Sequence, residues 1–172
     1  EAGDFAFVRN DRASKYFMVC TVALPDCSIG TALLDLRRDM VWSGLPVKEE
    51  FHATEDKNEV RLEVYNLLSK YDFRVDVTLL QKSKAQPQTR TSEDVFYKYA
   101  WYYHFKHVGP TLLKNTTETM ITAAALGTKR GQAVYTSAVN DVLQQTIQRQ
   151  QWKTFFPRAI ADPCLQIADY CA

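Results

Sequence analysis

Tyr16–Leu24 (YFMVCTVAL) is a near-continuous apolar run, rich in aromatic and β-branched side chains. It reads as a strand buried on both faces and therefore central in its sheet. Directly after it the period changes. Ile29, Ala32, Leu33, Leu36 and Met40 recur at helical spacing, which lays a helix against that strand. A buried strand answered by an amphipathic helix points to a layered α/β arrangement.

The rest of the chain repeats the theme. Glu49–Ala53 reads as a short edge strand. Asp56 followed by Glu59 resembles a capping box, and Val60, Val64, Leu67, Leu68 and Tyr71 continue from it as a helical stripe. Phe73, Val75, Val77 and Leu79 alternate with Arg74, Asp76 and Thr78, a period of two that predicts a strand. Thr91–Asp94 offers the next helix start, with Val95, Phe96, Tyr99, Tyr103 and His107 as its stripe and Gly109-Pro110 as its end. Thr119–Leu126 predicts a strand leaving at Gly127. Tyr135, Ala138, Val139, Val142 and Thr146 mark a helix ending near Gln150, and a short Trp152–Phe156 segment leads to Asp162-Pro163 and a last helix. Without a repeat or linker, the expectation is one α/β domain over residues 1–172, a mixed central sheet with helices on both faces. Both ends read as cut, since residue 1 is Glu and Ala172 falls inside an apolar helical pattern.

Composition narrows the class. The chain has 172 residues, 46% of them hydrophobic, with only 6 Gly and 6 Pro, which excludes disordered and collagen-like classes. No apolar run approaches the ~20 residues that cross a bilayer, and nothing in the sequence resembles a charged-then-apolar signal peptide. The expectation is a cytoplasmic protein with no membrane partner. Its four cysteines, Cys20, Cys27, Cys164 and Cys171, form two pairs distant in sequence and lack CxxC spacing. They read as reduced thiols with no assigned chemistry.

The net charge of +1 conceals an asymmetry. Residues 1–78 hold 10 Lys/Arg and 14 Asp/Glu, whereas residues 79–160 hold 11 and 4. Either these are ordinary solvated faces, or an acidic edge and a basic flank could hold divalent cations beside a phosphate-bearing polymer. The basic side is sharpest at Gln81–Ser92, where Lys82, Lys84 and Arg90 stand without an acid. That segment reads as a flexible connector or as a phosphate-contacting loop.

Among the acids Asp169 stands out. It shares a helical face with Leu165, Ala168 and Ala172, on a helix that is apolar nearly all round, where a carboxylate must be paired, hydrogen-bonded or bound to metal. Asp162, followed by Pro163, fits an N-cap and lies about two turns from Asp169 along the same face. Glu1 and Asp4 open the chain before the first strand. Asp76 points away from Val75 and Val77, with Arg74 as an available partner. His52, among Glu49, Glu50, Glu55 and Asp56, fits a ligand, a proton shuttle or a satisfied polar side chain. His104 and His107, three apart on a helix, lack a third ligand, so stacking within the aromatic run is expected instead. There is no GxGxxG, GxxxxGK[ST] or GxSxG motif.

The opening Glu1-Ala2-Gly3-Asp4-Phe5 looks like the tail of a D-E-[SA]-G motif without its leading Asp. The closing Asp162-Pro163-Cys164-Leu165-Gln166-Ile167-Ala168-Asp169-Tyr170 looks like a D-S-x-x-x-LQ-x-AD motif, with Pro163 in place of Ser. With Glu50-Phe51-His52-Ala53 between them, these segments resemble the bacterial domain-of-unknown-function family 3800, which is similar to the ribonuclease H-like superfamily. The resemblance spans nearly the whole chain, and LQIAD is its most specific piece. It implies a central mixed sheet, an acid on the first strand and another on the last helix. Carried over by position, Glu1 belongs to the strand motif, and Asp162 and Asp169 to the helix motif.

The activity implied is that of a divalent-metal-dependent nuclease or phosphodiesterase. Mg²⁺ or Mn²⁺ held by Glu1, Asp162 and Asp169 would activate water and stabilise the leaving oxygen. His52 would shuttle a proton, and Lys82, Lys84 and Arg90 would contact nucleic-acid phosphates. The other expectation is a catalytically silent module that binds nucleic acid or protein. No particular protein partner is indicated.

Overall fold

The structure is a computed structural model that describes residues 1–7, 13–125, 129–147 and 151–172. The elements run β1 (Tyr16–Ala23), α1 (Ser28–Trp42), α2 (Asn58–Leu68), β2 (Arg74–Gln81), α3 (Glu93–Leu112), β3 (Glu118–Thr122), α4 (Lys129–Thr146), β4 (Gln151–Phe155) and α5 (Pro163–Tyr170). The chain is thus mixed α/β. Where the pattern of strands suggested one central sheet, the described strands form two pairs, β1 with β2 and β3 with β4. The second pair is parallel, in register from Glu118 opposite Gln151 to Thr122 opposite Phe155. A parallel pair needs a long crossover, and α4 supplies it. Among the described residues no helix is long and apolar enough to cross a membrane.

Two compact units divide the chain. The first comprises Glu1–Cys20, Asp76–Phe156 and Ala172, and the second Thr21–Val75 and Pro157–Cys171. In the first, Phe17 and Val19 of β1 pack with Phe96, Tyr97 and Trp101 of α3 and with Val139, Val142 and Leu143 of α4. In the second, Ile29 and Leu33 of α1, Val60 and Val64 of α2, and Ile167 and Tyr170 of α5 close around Phe51.

Several local expectations change. In β1 the buried residues are Phe17, Val19 and Cys20, while Tyr16 is exposed, so the strand is not sealed on both faces. A partner comes from the opening residues, because Ala2 bridges Met18 in antiparallel fashion through bonds of 3.0 and 2.8 Å. Gly3, just beyond, has φ +99°, and a Cβ there would fall 2.5 Å from the Tyr16 carbonyl oxygen, so only glycine lets the chain pass this close. Gly109-Pro110 does not stop α3, which runs on to Leu112. Proline removes one N–H bond but keeps a helical φ, and Leu113 N–H still reaches the Gly109 carbonyl at 2.9 Å. β3 is shorter than the Thr119–Leu126 run, and Trp152–Phe156 largely coincides with strand β4. Leu126, Gly127 and Gln150 lie outside the described residues.

In β2 the alternation holds with an unexpected polarity. Val75, Val77 and Leu79 are 39, 43 and 59% exposed, while Asp76, Thr78 and Leu80 are half-buried. The reason lies on α3. His104 is fully buried, and its Nδ1 lies 2.8 Å from Thr78 Oγ1, so the strand turns polar side chains towards it. His104 also meets Phe105 edge-on at 5.7 Å, a T-shaped contact rather than a stack.

Burial holds the His104 imidazole down at about 4, against the opposing pull of the nearby Asp76 charge. Between about pH 6.5 and 4 the unfolded chain therefore binds a proton that the folded chain refuses, and stability falls as pH falls through that window. The expected loss by pH 4 is about 3 kcal/mol, read as a lower urea midpoint at pH 4 than at pH 7. The carboxyl of Asp4, held well below its usual range by Lys82, is depressed further and loses its contribution only in more acidic solution. An imidazole that titrates near 6.5 by NMR in the folded protein would refute this account.

Candidate functional site

The site grows from the start of α5. Asp162 is its N-cap, with Oδ1 accepting from Cys164 N–H at 2.9 Å, and Pro163 occupies the first turn, as the Asp-Pro pair implies. α5 buries Gln166, Ile167 and Tyr170. Asp169 is not sealed in apolar surroundings as its helical pattern suggested, for its side chain is 35% exposed.

Gln166 and Asp169 stand three residues apart and so share a helical face. Both face Phe51–Ala53. Phe51 N–H donates to Gln166 Oε1 at 3.1 Å, and Ala53 N–H donates to Asp169 Oδ2 at 2.8 Å. One helix face thus serves two alternate amides of the segment. Gln166 Nε2 also donates to the Ala159 carbonyl at 3.1 Å, which fixes the orientation of its amide.

The amide between them is claimed from another direction. His52 N–H donates to Asp56 Oδ2 at 2.8 Å, and the same oxygen accepts from Tyr170 OH at 2.5 Å. Three consecutive amides are thus held by side chains, so Glu49–Ala53 is not an edge strand: a neighbouring strand is not what its N–H groups meet. The capping-box expectation fails for the same reason. α2 begins after Lys57 with no side-chain cap, because the Asp56 carboxylate is turned to His52 and Tyr170.

This scaffold sets the His52 ring beside Asp169, with Nδ1 3.5 Å from Oδ2, and Thr54 Oγ1 3.1 Å from the same nitrogen. The His52 Nε2 and the Asp169 Oδ1 carry no hydrogen bond among the described residues. When Nδ1 bears the proton, shared between the Thr54 hydroxyl and the Asp169 carboxylate, Nε2 is left as a base. Arg61 braces the segment from α2, its Nη1 donating to the Ala53 carbonyl at 3.3 Å.

The remaining expected residues belong to the first unit. Glu1 belongs to the first unit, where its Oε1 accepts from the buried Tyr97 hydroxyl at 2.7 Å. Burial and the Glu1 charge push that phenol far above its usual range. Lys82 is no phosphate contact. It is 5% exposed, and its Nζ donates to Asp4 Oδ1 at 2.8 Å, to the Asp4 carbonyl at 3.1 Å and to the Ala6 carbonyl at 2.8 Å, so all three ammonium protons are used internally. Nor is Gln81–Ser92 a plain connector, since it holds two short 3₁₀ turns at Lys82–Lys84 and Pro87–Arg90. Lys84 and Arg90 are exposed, and Arg90 Nη2 donates to the Ser83 carbonyl at 3.0 Å.

Among the described residues no three His, Cys, Asp or Glu side chains are grouped to hold a metal ion. The Asp169 carboxylate, with one oxygen not hydrogen-bonded, is nevertheless the hard donor Mg²⁺ or Mn²⁺ prefers, and Mg²⁺ commonly binds through only one or two carboxylates while keeping its waters. Sequence reasoning did not foresee Gln166, Asp56, Thr54, Tyr170 and Arg61 as supports of this site. Gln166 sat inside the LQIAD element, and its spacing from Asp169 was the available signal. Comparison with protein-family models, with curated proteins and with solved structures finds no match.

Proposed function

We propose that the chain is a divalent-metal-dependent nuclease or phosphodiesterase of ribonuclease H-like architecture, acting on nucleic acid. The observation that supports this reading most is the meeting of two segments far apart in sequence. Ala53 and Asp169 are joined by a 2.8 Å bond to Oδ2, which sets His52 Nδ1 3.5 Å from that same oxygen and leaves Oδ1 open. In this reading Asp169 holds Mg²⁺ or Mn²⁺, and Asp162 orients it by capping α5. A bound ion would polarise the phosphate and ease ionisation of a water. His52 moves a proton through Nε2 while Asp169 and Thr54 keep its Nδ1 side fixed. Lys84 and Arg90 are the remaining candidates for phosphate contact.

The test is Mg²⁺- and Mn²⁺-dependent cleavage of labelled single- and double-stranded DNA and RNA by the full-length protein. Asp169→Asn and His52→Ala should each lower the rate at least tenfold. The Asn oxygen can still accept from Ala53 N–H, so the urea midpoint of Asp169→Asn should stay close to wild type. Cleavage that survives both substitutions would defeat the reading. A folded wild type that cleaves nothing would favour a silent nucleic-acid- or protein-binding module.

A further inference from the structure

The fold pairs the cysteines differently from their order in the sequence. Cys27 is exposed and is the N-cap residue of α1, while Cys164 is half-buried in the first turn of α5. A Cβ placed on Gly30 would lie 3.1 Å from Cys164 Sγ, so this sulfur rests on the opening turn of α1, one turn from Cys27. Cys27, three residues before Gly30, begins the same turn on which the Cys164 sulfur rests. Both belong to the second unit. Cys27 is the exposed thiol and the one peroxide reaches first, while Cys164 is half-buried beside it.

We propose that Cys27 and Cys164 form a reversible disulfide on exposure to peroxide, fastening the start of α1 to the start of the helix that carries Asp162 and Asp169. The exposed Cys27 sulfur attacks one peroxide oxygen, the O–O bond breaks, and a sulfenic acid and water result. Cys164 sulfur then attacks the sulfenyl sulfur. The S–S bond forms as the S–O bond breaks, and the Cys164 proton leaves with the hydroxyl as a second water. Two thiols are oxidised by two electrons in total and one peroxide is reduced. A low-molecular-weight thiol reverses the reaction by exchange. This inference does not depend on the nuclease reading.

The experiment treats the full-length protein with hydrogen peroxide, alkylates it with iodoacetamide after unfolding, and maps its peptides without reductant. A linked Cys27–Cys164 peptide, returned to two alkylated peptides by dithiothreitol, is the expected result. In Cys164→Ser, Cys27 should accumulate as a dimedone-trapped sulfenic acid. In Cys27→Ser, which retains a good N-cap residue, oxidation of Cys164 should slow at least tenfold. Cys164 oxidised equally fast without Cys27 would overturn the proposal. So would Cys27 passing to sulfinic acid in the wild type while Cys164 stays alkylatable.

Discussion

Lys82→Met is expected to destabilise the protein by about 3 kcal/mol, with no change attributable to phosphate binding. The methionine keeps most of the aliphatic stem, so the experiment isolates the ammonium. That group sits at 5% exposure and is shared by the Asp4 carboxylate and the carbonyls of Asp4 and Ala6. Removing it strands two carbonyls and an anion whose carboxyl Lys82 holds well below the usual range, the largest of several causes. Asp4 is 42% exposed, so water recovers part of the ion-pair energy, and most of the cost falls on the carbonyls. Ser14 N–H continues to hold the other carboxylate oxygen at 2.5 Å, which limits the loss to this corner. Urea denaturation at pH 7 measures it. Unaltered stability accompanied by weakened nucleic-acid binding would return Lys82 to the surface role suggested by its basic neighbours.

Asp56→Ala is expected to cost a similar amount, about 3 kcal/mol. Asp56 is 8% exposed, and one of its oxygens takes bonds from both Tyr170 OH and His52 N–H. Alanine leaves two donors without partners in a site too closed for water to serve both. Tyr170→Phe is the control. It removes the hydroxyl but leaves the His52 bond, and should cost nearer 1 kcal/mol. The double variant should fall short of the sum, because the two residues share one bond. A capping-box role for Asp56 makes the opposite prediction, namely coupling to Glu59→Ala and none to Tyr170→Phe. The loss should also loosen the segment that carries His52, since Asp56 holds the backbone of that residue.

These residues show where sequence reading reached its limit. The pair Asp56 and Glu59 before a helical stripe looks like a cap, but the carboxylate is claimed by groups 4 and 114 residues away. Lys82 looks like part of a basic loop, and its partners lie 76 to 78 residues earlier. Gln166 looked like one more polar residue on a buried helix. In each case the local spacing permitted two roles, and a partner distant in sequence selected one. The cysteines follow the same rule, for proximity along the chain grouped Cys164 with Cys171, whereas packing of α5 on α1 sets it on the turn that begins at Cys27.

Periodicity by itself determined that strands and helices alternate, and it located β1, α1, α2, β2, α3, α4 and α5 closely, because a strand repeats every two residues and an amphipathic helix every 3.6. It also singled out Asp169, while His52 was singled out by the acids around it. Only the tertiary structure decided which strands pair, which face of β2 turns inward, and what holds each amide of Phe51–Ala53. A period of two divides a strand into two faces without saying which will meet the core. In β2 that choice fell to His104, buried on α3 and bonded to Thr78, and it left Val77 and Leu79 outside. A side chain carries its own donors and acceptors in the sequence, but its partners exist only once the chain has folded.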